Sequence, residues 1–216
     1  SLGEYSALVC SNSLNYEDAI YLLHERGKAM QEAVPVGSGS MMAVLGIKID
    51  DITQLLKTKK DKGICEVAND NANGQVIVSG DKEGIESFQI LLKEKKIKTI
   101  PLKVSAPFHC SLMKPAANAM EEKINSTQFR NPSLKIISNV TASPVSNSED
   151  IKRLLIEQIF STVKWRESII KMQKEGVKTF IEIGPGKVLT GMVKRTAKEA
   201  NCFSINSIAD IKKLKD

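Results

Sequence analysis

Aromatic side chains make up only 5% of this 216-residue sequence, with one tryptophan, and it holds just two histidines and four cysteines. Each scarcity excludes something. The lysine-rich patches lack interleaved aromatics, so a base-stacking nucleic-acid surface is the least favoured reading of the net charge of +6; a solvated surface comes first and an acidic protein partner second. Cys10, Cys65, Cys110 and Cys202 are scattered, with neither metal-ligand spacing nor disulfide density, which points to a reduced, cytoplasmic compartment. No apolar run approaches the ~20 residues of a membrane span, and no signal peptide is read. Internal repeats and low-complexity segments are also missing. What is present, 42% hydrophobic and 26% charged residues, suffices for a real core, as one large domain or a domain plus an insert.

Hydrophobic periodicity and end signals predict an alternating chain. A helix is expected over about Gly3–Cys10, then a second after an N-cap at Asn15, ended by Pro35 and Gly37. From about Gly39 to Val104 the predicted order is βαββαβ: "MMAVLGIKI", a helix from about Asp50 to Lys60, "GICEVAND" and "GQVIVSG" around a turn at Asn69–Gly74, a helix over Lys82–Lys96, and "KTIPLKV". That order is ferredoxin-like, and it looks inserted between parts of another fold. After it come a loop with "SAPFHC", helices near Met113–Asn125, Asp150–Phe160, Trp165–Glu175 and Lys187–Ala200, and strands "LKIISNV", "VKTFIEI" (read as buried) and "CFSI". Such alternation predicts a mostly parallel α/β sheet.

Ser1-Leu2-Gly3 reads as the back half of a G-x-S-x-G elbow, in which a strand turns into a helix and displays the serine; Gly3 would let that helix pack closely on the sheet. An N-terminal nucleophile, the rival, is expected to run from its nucleophile into a strand, and this chain runs into a helix; a serine that merely happens to stand first stays as open as function on these three residues. A serine nucleophile needs a base. His24 lies about 200° round its helix from Arg26 and is placed on the surface, which leaves His109, in a loop behind a strand, as the base by elimination. Cys110 beside it is read as an inert thiol. Arg26 stands on the apolar face of its helix with Leu22 and Met30 at i−4 and i+4, so no local acid neutralises it. A substrate carboxylate held bidentately and a distant internal acid are equally good partners for it.

"SLGEYSALV", "RGKAMQEAVP", "APFHCSLMKPAA" and "IEIGPGKVLTGMVKR", in this order and spacing, resemble malonyl-CoA:acyl carrier protein transacylases of fatty acid synthesis, over Ser1 to at least Lys194. The resemblance implies a fragment that starts at the nucleophile, with about ninety residues upstream absent. It implies an α/β-hydrolase-like parallel-sheet core (1–37 and 105–216) with an inserted ferredoxin-like subdomain (38–104). It makes Ser1 the acyl-accepting nucleophile, His109 its general base and Arg26 the ligand of the malonyl carboxylate. The base would be oriented by the backbone carbonyl of Gln158, with Glu157 not a third triad member. The oxyanion would rest on the Leu2 N–H and one from an upstream Gly-Gln-Gly loop.

The implied reaction is ping-pong transfer of malonyl from malonyl-CoA, through a seryl ester, to the phosphopantetheine thiol of an acidic acyl carrier protein docked on a basic surface. No metal or redox cofactor, nucleic acid or membrane is implied, and a monomer is expected. "GPGKVLTG" lacks P-loop spacing and is read as a structural turn. Phe108, just before the base, resembles the malonyl-selecting form of polyketide acyltransferase domains. Alone, the 216-residue piece is expected to be poorly soluble and inactive. A simple esterase and a non-catalytic carrier-docking remnant remain the alternative classes.

Overall fold

The computed structural model describes residues 1–59 and 63–213. The expected helix end at Lys60 and the last residues of the expected core, 214–216, lie outside them.

Two helices open the chain, α1 (Leu2–Cys10) and α2 (Tyr16–Glu32). Asn15 caps α2 as its sequence predicts, accepting from the Asp18 N–H at 2.7 Å. There follow β1 (Gly39–Leu45), α3 (Ile49–Thr58), β2 (Cys65–Ala72), β3 (Gln75–Asp81), α4 (Lys82–Glu94) and β4 (Lys98–Pro101). These strands form one antiparallel sheet in the order β2-β3-β1-β4. Helices α3 and α4 cover one face, where Ile52, Ile85, Phe88 and Leu92 pack on Met42, Val44, Val76 and Val78. The other face, with Met41, Ala43 and Ile77, packs on Leu102 and Phe108. Burial on both faces explains why β1 reads as a continuous apolar run instead of an alternating one.

The hairpin differs from its sequence reading. Strand β2 runs on to Ala72, so the turn is Asn73–Gly74, with Gly74 at φ 72°, and Asn69 and Asp70 belong to the strand. Polar composition suggested a loop there; two register shifts, at Val67/Asn69 and Asp70/Ala72, let the strand carry those polar residues. Strand β2 also fastens the sheet to the remainder of the chain. Asp70 takes a two-pronged grip from Arg166 (Nε to Oδ1 at 3.0 Å, Nη2 to Oδ2 at 2.8 Å), Glu66 accepts from the Ser111 N–H at 2.8 Å, and Thr162 Oγ1 donates to the Val67 carbonyl at 2.6 Å.

The remaining elements are α5 (Lys114–Ser126), β5 (Ile136–Ile137), β6 (Pro144–Val145), α6 (Ser148–Gln158), α7 (Trp165–Lys174), β7 (Thr179–Ile183), α8 (Val188–Thr196), β8 (Asn201–Ile205) and α9 (Ile208–Lys213). The largest core joins Tyr5 and Leu8 of α1, Leu22 and Met30 of α2, Met120 and Ile124 of α5, and Leu154 and Leu155 of α6. Of "LKIISNV" only Ile136–Ile137 is strand. Ser138 ends it by closing a tight turn, its N–H donating to the Ser143 carbonyl and its carbonyl accepting from the Ala142 N–H.

Among the described residues the parallel pairing between strands is that of β7 with β8. "VKTFIEI" is not buried as read: Phe180 and Cys202 pack on α7 and α8, while Ile181, Ile183 and Phe203 on the opposite face are 47%, 79% and 44% exposed. Only one face of that pair is covered. The close packing expected at Gly3 is likewise not made among the described residues, where a Cβ would meet no atom within 4 Å.

Candidate active site

Ser1 stands at the N-cap of α1, immediately before Leu2, whose N–H is one of the end-of-helix donors that lack an intrahelical acceptor. Ser1 lines a cavity of about 370 Å³ together with Arg26, Met30, Met41, Asn69, Phe108 and His109. Helix α2 delivers Arg26 on its buried side, in line with Leu22 and Met30, and leaves His24 exposed.

His109 arrives from the loop after β4. It is buried and held at φ 59°, a left-handed conformation unusual for a residue with a side chain. Strain of this kind persists only where the surroundings over-determine it. Here they do: Pro107 abuts Gly39 so closely that a Cβ on that glycine would sit 2.3 Å from the proline ring. The Cys110 thiol points back at the Pro107 carbonyl, 3.1 Å away, and burial pushes its pKa up, which suits the inert role read for it.

The last turn of α6 meets this loop. Gln158 ends the helix, so its carbonyl has no partner within the helix, and it lies 2.8 Å from His109 Nδ1. A carbonyl can only accept, so Nδ1 carries the proton and Nε2 is left with a lone pair. Burial pushes the His109 pKa down to about 3, against the opposing pull of the Gln158 carbonyl. The ring is therefore neutral at pH 7 and able to take a proton.

The side chain of Gln158 forms a second junction that the sequence did not reveal. Its Nε2 donates to Glu4 Oε2 at 2.9 Å, to Asn139 Oδ1 at 3.2 Å and to the Ser1 carbonyl at 3.3 Å. Its Oε1 accepts from Arg26 Nη2 at 3.1 Å. The same Nη2 donates to Ser1 Oγ at 2.9 Å. Glu4 also accepts from the Asn139 N–H at 2.9 Å, and burial raises its pKa.

Arg26 thus has the Gln158 amide as its internal partner, and no carboxylate forms an ion pair with it among the described residues. Its Nε is buried without a hydrogen-bond partner there, and burial lowers its pKa. Glu157 points the other way, to Arg153 at 3.5 Å. Among the described residues no hydrogen bond joins Ser1 Oγ to His109, though both line the cavity; such bonds commonly tighten only once substrate is bound.

Glu4, Asn139 and Asn69 are the site residues that sequence reasoning missed. Glu4 had a signal, an acid one turn after the serine on a helix with a buried side. Asn139 and Asn69 had none, because a tight turn and a strand irregularity place them. The "GPG" segment behaves as a turn: Gly184 and Gly186 have φ of 132° and 95°, and the N–H groups of Leu189 and Thr190 donate to Glu182. Among the described residues no group of three His, Cys, Asp or Glu is placed to hold a metal ion.

The acyl transferase domain model matches residues 1–215. The chain is 44% identical over 208 residues to the malonyl CoA-acyl carrier protein transacylase of Bacillus subtilis, covering 95% of this chain and 66% of that protein. To the Staphylococcus aureus (strain MSSA476) protein of the same name it is 39% identical over 216 residues, covering 98% and 70%. A solved malonyl-transacylase, in complex with a type II polyketide acyl carrier protein, superposes with a TM-score of 0.93 at 36% identity, covering 97% of this chain and 68% of that one. The chain therefore spans about two thirds of the length of these relatives. It is an α/β protein with the malonyltransferase fold and belongs to the acyl transferase domain family, among the malonyl CoA-acyl carrier protein transacylases.

Proposed function

We propose that this protein transfers malonyl from malonyl-CoA to the phosphopantetheine thiol of acyl carrier protein, in fatty acid synthesis. One observation carries the choice of acyl group: a buried guanidinium in the cavity beside Ser1, without a carboxylate partner among the described residues and with a free Nε–H. A malonyl carboxylate fits that vacancy in the hydrogen-bonding, where an acetyl group offers nothing.

In this reading His109 Nε2 takes the proton of Ser1 as Oγ attacks the thioester carbonyl. The Leu2 N–H supports the developing oxyanion. The CoA thiolate leaves with the proton from His109, and malonyl remains as a seryl ester. The carrier thiol then gives its proton to His109 and attacks the ester, and Ser1 Oγ leaves with that proton returned from His109, which restores both groups. The Gln158 carbonyl, at the negative end of α6, holds the ring in the right tautomer and steadies the transient imidazolium. Arg26 turns from Ser1 Oγ to the malonyl carboxylate, which frees the hydroxyl to react. Phe108 walls the acyl site. The reaction uses only its two substrates.

The antiparallel sheet with α3 and α4 supports a ferredoxin-like subdomain over 38–104, set on an α/β-hydrolase-like core of 1–37 and 105–216. No helix among the described residues is long and apolar enough to cross a membrane. A simple esterase would have no use for Arg26. The deciding experiment is to incubate the full-length protein with radiolabelled malonyl-CoA and acetyl-CoA and follow label onto Ser1 and then onto holo carrier. Equal labelling by both thioesters would return the esterase.

A further inference from the structure

The loop that carries His109 is gripped by the antiparallel sheet two residues further on. Glu66 of β2 accepts two hydrogen bonds from Ser111, from its N–H to Oε2 at 2.8 Å and from its hydroxyl to Oε1 at 2.5 Å. Ser111 opens the single 3-10 turn, Ser111–Met113, that leads into α5. Its N–H is an end-of-helix donor that needs an outside acceptor, and a carboxylate binds such a donor about twice as strongly as a neutral oxygen. Among the described residues no cation pairs with Glu66, and Ser111 takes both of its oxygens. The same strand holds the chain that follows Gln158. The Val163 N–H donates to the Ala68 carbonyl at 2.9 Å, and the Asp70 N–H donates to the Val163 carbonyl at 3.0 Å. Strand β2 thus fixes a residue just past the base and a segment just past its carbonyl partner.

Anchoring the sheet is the ordinary reading of such contacts, and the Arg166 grip on Asp70 serves it. Glu66 acts at a different place. His109 carries the backbone strain, at φ 59°, and strain persists only where the chain around it is over-determined. The Pro107 ring against Gly39 pins the near side of the loop, and the Gln158 carbonyl pins the imidazole. On the far side the pin is Glu66. We propose that Glu66 is a positioning residue for the reaction. Through Ser111 it keeps His109 in the left-handed conformation that sets Nδ1 on the Gln158 carbonyl and leaves Nε2 free to serve Ser1. The inference rests on His109 being the base of Ser1 and is independent of which acyl group is carried.

The test compares full-length wild type, Glu66→Ala and Glu66→Gln in acylation of Ser1 from malonyl-CoA and from the neutral ester p-nitrophenyl acetate. Glu66→Ala should lower kcat by ~10–100-fold, the scale of a misplaced catalytic group. KM for malonyl-CoA should hold, since Arg26 comes from α2. The loss should be the same on both acyl donors, because one base serves both. Glu66→Gln keeps an oxygen for the Ser111 N–H and an amide N–H for its hydroxyl, and should restore most of the rate. Heteronuclear NMR should find one His109 tautomer, Nδ1–H, in wild type and a mixture in folded Glu66→Ala, which a loss of stability alone does not produce. Ser111→Ala deletes one of the two bonds and should lose rate in the same direction by less. An unchanged kcat in Glu66→Ala, or in Ser111→Ala should the former not fold, overturns the proposal. So does a loss confined to KM. Wild type that is acylated by the ester and not by malonyl-CoA removes the malonyl reading, while the ester series still decides Glu66.

Discussion

Glu4 holds one end of the Gln158 side-chain amide, Oε2 accepting from Nε2 at 2.9 Å, and so turns the amide oxygen toward Arg26, 3.1 Å away. An amide has two nearly isosteric orientations, and only one presents an acceptor to the guanidinium. The carboxylate decides between them, because it can only accept. Its charge also lies one amide away from Arg26, which helps a buried cation without forming a direct pair that would compete with substrate.

Glu4→Ala should let the amide turn over and set its NH₂ against Arg26. The expected loss in kcat/KM for malonyl loading is about 1–3 kcal/mol, the cost of leaving buried donors unsatisfied. It should appear mainly in KM. Glu4→Gln keeps an oxygen for both the Asn139 N–H and Gln158 Nε2, and should recover most of it. A Gln variant as impaired as Ala would show that the charge matters and the amide orientation does not.

Arg26→Ala should affect malonyl and acetyl transfer differently. Removing one partner of a buried, hydrogen-bonded charge pair costs about 2–5 kcal/mol, so malonyl loading should fall by ~30-fold or more while acetyl loading falls less. Arg26→Lys should rescue only in part, because an ammonium lacks the two-pronged geometry. Steady-state kinetics with both thioesters decide it. Equal losses on both would assign Arg26 to the Ser1–Gln158 scaffold alone.

His109 carries a pH prediction whose sign follows from its lowered pKa of about 3. The folded state keeps the ring neutral while the unfolded chain protonates near its ordinary 6.5, so between these values the unfolded state binds more protons. Stability supplied by this group is fully present above about pH 6.5 and is lost as pH falls toward about 3. Loading should show no histidine inflection near pH 6.5 and should decline only at much lower pH. Histidine NMR titration checks this: His109 should stay neutral at pH 5. A ring that protonates near 6.5 would contradict the burial argument.

The helices, the order of elements and three site residues (Ser1, Arg26, His109) could be read from local patterns because each leaves a short-range trace: a cap at Asn15, a 3.6-residue stripe through Arg26, a Pro before Phe108; Gln158 left none, and only the family resemblance pointed to it. Of the junction, Glu4 left a trace as an acid one turn after the serine, but its joining to Asn139 and to the Gln158 side chain left none, since Glu4 lies more than a hundred residues from both. The strand status of Asn69 and Asp70 was hidden for another reason. Asp70 is tolerable in a strand only because Arg166 neutralises it across the fold. The open face of β7 and β8 was misread because periodicity shows that a strand is apolar, never what covers it.

That open face makes its own prediction. Ile181, Ile183 and Phe203 are side chains of the kind that drive association when left in water. The 216-residue chain expressed as such should self-associate and bind hydrophobic dyes, and Ile183→Lys with Phe203→Lys should raise its solubility. Light scattering at fixed concentration reports it. No change in the double variant would locate the aggregation elsewhere.

Phe108 packs between the two cores that meet at the cavity and lines that cavity next to His109. We propose that an aromatic ring there fills the volume into which the α-methyl of methylmalonyl would project. Complementarity for one methyl group is worth only ~1–3 kcal/mol, or roughly 10–200-fold. The protein should therefore prefer malonyl-CoA over methylmalonyl-CoA within that range. Phe108→Ser should narrow the gap, because the pocket gains room, while leaving malonyl transfer in place, because neither Arg26 nor His109 depends on the ring for a hydrogen bond. Truncating a half-buried ring that joins two cores also loosens the loop, so some stability is lost together with the selectivity. The two effects separate in the ratio of kcat/KM values for the two thioesters, which a general loss of folded protein leaves untouched. A ratio that stays the same in Phe108→Ser would make the ring a packing element and move acyl selectivity to other residues of the cavity wall, Met30 and Met41 first.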